Sequence, residues 1–329
     1  MRHREIGKSG IQASVIALGA WPIGGGPWWG KTDDEESIRT VQAAIDMGVT
    51  LIDTAPVYGF GRSEEVIGRA IKGRRDKVVL ATKCGLWWKD NRGFEFFQSE
   101  GRTVRRCLRP ETIRVEVEES LQRLGVDVID LLQTHWQEEG PGSTPIAETM
   151  GCLVDLQKAG KVRAIGVSNC SPAQMDEYRK VGRIDSNQPR YSMLDRYIEG
   201  DVLPYCRKNG ISTLAYSPLE QGLLTGAITM ASTFSPDEYR NNLPWLAPAN
   251  RKKVLDMLWG WADLLKKYNC TLAQLVIAWT LQQDGLTIVL CGGRKAKHNA
   301  DNAGAGDLVL DEATLTRMRN DVESLGEPQ

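Results

Sequence analysis

Four side chains able to move a proton are spread through the first 135 residues: Asp53 and Tyr58 in Asp53-Thr54-Ala55-Pro56-Val57-Tyr58-Gly59, Lys83 in Ala81-Thr82-Lys83-Cys84-Gly85, and His135 in Gln133-Thr134-His135-Trp136. They follow short apolar runs at 49–52, 78–80 and 128–132, so a fold that sets strand ends side by side converges them on one pocket. A phenol with a reference pKa near 10 is a poor acid at neutral pH, but a neighbouring ammonium stabilises the phenolate. Lys83 could therefore lower the pKa of Tyr58, Asp53 would hold the ammonium charged, and His135 could donate a hydrogen bond to a substrate oxygen. Such a pocket polarises a carbonyl. No side chain supplies hydride, so the reaction needs either a nicotinamide cofactor or a redox-neutral substrate such as an aldose. Singly, Asp53 reads as a helix cap, Lys83 as a solvated charge and Tyr58 as packing; their joint spacing carries the argument.

The elements that must position these residues follow a strand–helix rhythm. After a hairpin at 3–6 and 11–13, turned by Gly7 and Gly10, short apolar runs recur at 15–18, 51–52, 78–81, 128–132, 163–167, 185–188, 212–215 and 287–290. Helical pattern follows each. Thr32 and Glu35 stand at capping-box spacing before Ile38, Val41 and Ile45, and Ile113, Val117, Leu121 and Leu124 form a stripe that Gly125 ends. Eight such units, without a glycine-rich phosphate turn after the first strand, predict a closed (β/α)8 TIM barrel spanning 1–329 as one domain, with an N-terminal β-hairpin. Insertions at 86–109 and 219–250 are expected to be long rim loops, read either as functional lids or as disorder.

Composition narrows the ligand class. The chain has 329 residues, 41% of them hydrophobic, and a formal charge of −1 from 41 basic and 42 acidic residues. Neither a nucleic-acid nor a membrane partner is expected from this balance; a small molecule is. Seven scattered cysteines without a C-x-x-C pair match no disulfide framework and no metal site, which makes a reducing cytoplasm the expected location. No stretch reaches the roughly 18 apolar residues of a membrane span. A monomer or weak homo-oligomer is expected.

Taken together, Asp53-Thr54-Ala55 with Tyr58-Gly59, Lys83, His135, Gly166-Val167-Ser168-Asn169, Gln188, Ala215-Tyr216-Ser217-Pro218-Leu219 and the segment 292–302 resemble the aldo-keto reductases, in the family's order and over nearly the whole chain. Tyr191-Ser192-Met193-Leu194-Asp195-Arg196 and Gly222-Leu223-Leu224-Thr225-Gly226 are similar to its bacterial general-stress and sugar-oxidising branch. The resemblance implies a barrel that binds NADP(H), in preference to NAD(H), across its carboxyl-end rim. It makes Tyr58 the acid–base residue supported by Lys83 and Asp53, with His135 orienting the carbonyl. Ser168, Asn169 and Gln188 would hold the nicotinamide carboxamide and Tyr216 would stack on the ring, beside Trp21. Ser217, Leu219, Gln221 and Gly222 would follow the pyrophosphate, and Gly292, Gly293, Arg294, His298 and Asn302 the adenosine half. Arg294, Lys295 and Lys297 gather cations where helix N–H groups also favour an anion, so a 2′-phosphate fits there. His298 departs from the Arg or Gln of many NADPH-preferring relatives, so that preference rests on Arg294.

The expected substrate is a small carbonyl compound or a sugar or polyol, in a cleft lined by Trp21, Trp87 and Trp136, with Trp28, Trp29 and Trp88 also near the rim. Arg102, Arg105, Arg106 and Arg109 read either as a solvated loop face or as a patch steering an anionic substrate. Cys84 reads as a small buried hydrophobe or an oxidation sensor. Two other functions share the pattern: a catalytically slow NADP(H)-sensing regulatory subunit and a redox-neutral sugar isomerase.

Overall fold

The computed structural model describes residues 1–234 and 238–329; residues 235–237 of the insertion at 219–250 lie outside the described residues. The chain opens with the hairpin β1 (His3–Glu5) and β2 (Gln12–Ser14), followed by β3 (Ile16–Gly19), α1 (Gly26–Trp29) and α2 (Asp34–Asp46). Next come β4 (Leu51–Asp53), α3 (Arg62–Ile71) and β5 (Val79–Cys84). The segment expected as a long loop is instead an antiparallel sheet of β6 (Leu86–Trp87), β7 (Phe94–Ser99) and β8 (Arg102–Arg106). Its strands pair through Trp, Phe and Val, residues that favour a pleated surface. The series continues with α4 (Pro110–Leu124), β9 (Ile129–Thr134), α5 (Ile146–Lys158), β10 (Val162–Ser168), α6 (Pro172–Val181), β11 (Ser186–Gln188), α7 (Val202–Asn209) and β12 (Ser212–Tyr216). Last come α8 (Pro248–Trp259), α9 (Ala262–Tyr268), α10 (Leu272–Leu281), β13 (Ile288–Gly292), α11 (Ala296–Gly304) and α12 (Glu312–Glu323).

Eight of these strands close into a parallel barrel in the order β3, β4, β5, β9, β10, β11, β12, β13, the (β/α)8 architecture expected. Strand parity sorts the side chains. Leu51, Val79, Ala81, Leu131, Ala164, Leu214, Ile288 and Leu290 fill the barrel interior. Their outward neighbours, such as Leu132, Ile165 and Val167, pack with Ile113, Val117 and Leu121 of α4. The hairpin closes the amino end: Ile6, Ile11 and Ala13 join the interior cluster, and Gly7 N–H donates to Ser212 Oγ at 2.8 Å. Gly7 has φ +58°, and a Cβ there would lie 2.4 Å from the Asp185 carbonyl oxygen.

One cap differs from expectation. Helix α2 is capped by Asp33, whose Oδ1 accepts from Glu36 N–H at 2.7 Å, while Thr32 Oγ donates to the Ile23 carbonyl. Thr32 with Glu35 and Asp33 with Glu36 share the spacing, and the carboxylate is the stronger acceptor for helix N–H groups. Among the described residues, no helix is long and apolar enough to cross a membrane.

Candidate active site

Two residues beyond the apolar layer, the same inward parity becomes polar. After Leu51 comes Asp53, after Ala81 comes Lys83, and after Leu131 come Gln133 and then His135. In register, Asp53 lies beside Ala81 and Lys83 beside Gln133. All four are buried.

Lys83 is the hub of this layer. Its Nζ donates to Asp53 Oδ2 at 2.5 Å, to the Thr54 carbonyl at 3.1 Å and to the Tyr58 hydroxyl at 3.3 Å. His135 stands edge-on to Tyr58 with ring centres 5.6 Å apart, and its backbone N–H is anchored on the Cys84 carbonyl at 2.9 Å. Burial pulls the Lys83 pKa down, but Asp53 and Tyr58 together hold it above the ordinary lysine value. The Tyr58 phenol corrects a sequence expectation: burial pushes its pKa up, and the Lys83 ammonium only partly opposes that. A buried phenolate loses more hydration than one ammonium returns. His135 is held well below the imidazole value, first by burial and then by the Lys83 ammonium, so its ring is neutral.

These groups open into a cavity of about 1280 Å³ at the carboxyl end of the barrel. It is lined by Trp21, Asp53, Tyr58, His135, Trp136, Ser168, Asn169, Gln188, Tyr216, Ser217, Leu219, Gln221, Gly222, Gly292, Gly293, Arg294, His298 and Asn302. Lys83 lies behind Asp53 and Tyr58 rather than on the wall. Trp87 corrects the expected aromatic cleft: it is 3% exposed and absent from the lining, whereas its neighbour Leu86 is present. Alternation along β6 turns it the other way, where its Nε1 donates to Asp90 at 2.7 Å and the Lys89 and Arg92 cations lie over its ring. Trp28, Phe97 and Tyr239 take part in the wall instead, with Trp28 centred 5.9 Å from Phe97 and 5.4 Å from Tyr239.

No member of the arginine cluster at 102–109 lines the cavity. Arg102 lies over Phe60, and Arg106 lies between Phe96 and Trp136. Cys84 is buried with its thiol pushed up first by burial and then by Glu116, which suits a packing role.

Along the rim the backbone is unusual. Asn169, Ser217, Glu220 and Gln221 have φ of +53°, +59°, +45° and +50°, conformations that cost a non-glycine residue about 1–3 kcal/mol and cluster at ligand sites. Asn169 is fixed by donating to the His135 carbonyl and accepting from the Tyr216 hydroxyl at 3.0 Å. Glu220, which no sequence pattern singled out, is 3% exposed and accepts from Arg190 at 2.7 Å and Ser192 at 2.6 Å, tying the 217–226 turn to the segment after β11. Its only signal was a charge beside a predicted rim turn. Arg294 donates to the Trp29 carbonyl at 2.6 Å, joining the last barrel loop to the first.

The comparisons with known proteins agree with this geometry. Residues 15–322 match the model of the aldo/keto reductase family. The chain is 44% identical over 327 residues, covering 99% of both chains, to the NADH-specific methylglyoxal reductase of Escherichia coli (strain K12). It is 45% identical over 298 residues to the aldo-keto reductase YhdN of Bacillus subtilis (strain 168), covering 90% of this chain and 86% of that one. Among solved structures, the glycerol dehydrogenase AKR11B4 from Gluconobacter oxydans superimposes with a TM-score of 0.88 at 38% identity, covering 99% of this chain and 96% of that one. A closed barrel with this rim, matched by the family model from its first barrel strand to its last helix, belongs to the aldo/keto reductase family.

Proposed function

We propose that the chain is an NADP(H)-dependent oxidoreductase acting on the carbonyl or alcohol carbon of a small aldehyde, ketone, sugar or polyol. The observation that carries this reading is the placement of Lys83 Nζ between Asp53 Oδ2 and the Tyr58 hydroxyl, directly behind these two cavity-lining residues.

The residues present suit a dinucleotide. Gln221 Oε1 is buried without a partner at the cavity wall, where a ligand donor could reach it. Ser168, Asn169 and Gln188 would hold the carboxamide, with Tyr216 and Trp21 flanking the ring. Ser217, Leu219, Gln221 and Gly222 would follow the pyrophosphate, and Gly292, Gly293, Arg294, His298 and Asn302 the adenosine end. Exposed Arg294, Lys295 and Lys297 at the start of α11 favour a 2′-phosphate. The bound cofactor supplies or takes the hydride, which leaves the proton to the protein. Neutral His135 donates to the carbonyl oxygen and sets its angle. Tyr58, kept protonated by its surroundings, gives that oxygen its proton as the carbon is reduced. Lys83, locked by Asp53, stabilises the phenolate left behind. Alcohol oxidation runs the same transfers in reverse.

The cavity that Tyr58 lines also carries Trp21, Trp28, Phe97, Trp136 and Tyr239, rings that would pack against the carbon face of a small carbonyl compound. A turnover screen tests the proposal, pairing NADPH and NADH with aldehydes, ketones and methylglyoxal, and the oxidised forms with sugars and glycerol. Change in nicotinamide absorbance with at least one carbonyl or alcohol is expected, faster with the 2′-phosphorylated cofactor. Tight cofactor binding with no turnover of any substrate would refute it.

A further inference from the structure

The polar layer around Lys83 holds a second set of contacts, on Asp53. Asp53 is 2% exposed, and its two oxygens are held differently. Oδ2 takes the Lys83 ammonium; Oδ1 accepts from Gln188 Nε2 at 2.9 Å and from Gln133 Nε2 at 3.1 Å. Gln133 is fully buried, and its Oε1 accepts in turn from Ser186 Oγ and Gln188 Nε2, both at 3.4 Å. The anion fixes both amides, because turning either around would set a carbonyl oxygen against a carboxylate. Space for Gln133 is reserved on the adjacent strand: a Cβ on Gly166 would lie 2.9 Å from Gln133 Cγ and 2.2 Å from Ser186 Oγ.

We infer that Gln133 is a positioning residue which, with Gln188, holds the Asp53 carboxylate turned so that Oδ2 stays on Lys83. This rests on the proposed role of the Asp53, Lys83 and Tyr58 chain. Two carbon-bound amides give the carboxylate donors without adding charge, so the ammonium remains free to act on Tyr58 instead of being shared with a second anion. The same geometry commits Gln188 Nε2 to Asp53 and leaves its Oε1 as the atom that accepts from a ligand.

Two variants test this in the full chain. Gln133→Met fills the space without a donor. Gln133→Glu keeps the shape and the acceptors, and supplies a donor only while the introduced carboxyl is protonated, which burial beside Asp53 favours at acid pH. Gln133→Met is expected to lower kcat about tenfold at every pH, with cofactor Kd within about threefold of wild type. Gln133→Glu is expected to stay within about threefold of wild-type kcat near about pH 5.5 and to fall at least about tenfold further by about pH 8. A packing role would not produce that pH-dependent recovery. Wild-type kcat in Gln133→Met, or a Gln133→Glu loss equal at both pH values, would overturn the inference. Tyr58→Phe run in parallel separates the two claims: if it turns over normally the functional reading itself fails, and if it alone is inactive only the role of Gln133 fails.

Discussion

At the scale of single residues, the pKa directions give the reaction a pH signature. Tyr58 sits above the ordinary phenol value near 10, so it carries its proton throughout the neutral range and is ready as an acid for reduction. As a base for alcohol oxidation it must first lose that proton, which becomes easier as pH rises. Carbonyl reduction is therefore expected to be flat from about pH 6 to 9, and alcohol oxidation to climb through the alkaline range. Because His135 titrates well below its ordinary 6.5, neither profile should bend near that value; an inflection there in kcat would contradict a neutral imidazole. Glu116 gives a parallel test on stability. Burial raises its carboxyl from 4.5 to about 8, with the Gly85 N–H opposing and Glu64 adding to the rise. The folded chain thus binds a proton that the unfolded chain releases near 4.5, and this contribution is present below that value and lost as pH rises towards 8. Melting temperatures measured across this window should fall more steeply for the wild type than for Glu116→Gln; equal slopes would remove Glu116 as the cause. Asp53, Lys83 and His135 were legible because each is a polar residue at inward parity just past an apolar run. Gln133 has the same parity, but an uncharged amide inside an apolar strand carries no chemical flag. The direction of the Tyr58 shift was not legible, because no spacing rule reports how deeply a phenol is buried.

At the scale of elements, the rim turns carry the ligand-facing work. The turn at 217–226 holds left-handed residues that no local preference favours, and Glu220 fixes it from beneath through Arg190 and Ser192. Glu220→Ala is expected to weaken cofactor binding about tenfold, or about 1.4 kcal/mol, while kcat at saturation changes less than about threefold. Fluorescence titration and saturated turnover would check this, and an unchanged Kd would show that the turn is held by other contacts. The sheet of β6, β7 and β8 shows why the 86–109 segment was misread. Its strands are short, and charged residues interrupt its apolar pattern, so length and composition suggested a loop. Once it pairs, alternation along β6 puts Leu86 on the cavity and Trp87 behind it, while a register shift between Glu95 and Phe97 lets the adjacent Phe96 and Phe97 both line the cavity. An aromatic residue near a rim was visible in sequence, but the face it would take was not.

At the scale of the whole molecule, the eightfold strand–helix rhythm made the barrel legible, and closure turns strand parity into one apolar column with a polar mouth. The amino-end plug and the mouth are opposite ends of that column, which separates stability from chemistry. Ile6→Ala, at a fully buried position in the plug, is expected to cost about 2–5 kcal/mol of stability while leaving kcat of the folded protein unchanged; loss of kcat without loss of stability would show that the two ends are coupled. The order of the mouth residues was readable, but the link between Arg294 and Trp29 was not, since it joins loops 265 positions apart. The most direct measurement of the account is saturated turnover of Tyr58→Phe alongside its cofactor Kd. The account predicts a kcat lower by about 10² to 10⁴ with Kd nearly unchanged, whereas wild-type turnover in that variant would contradict it.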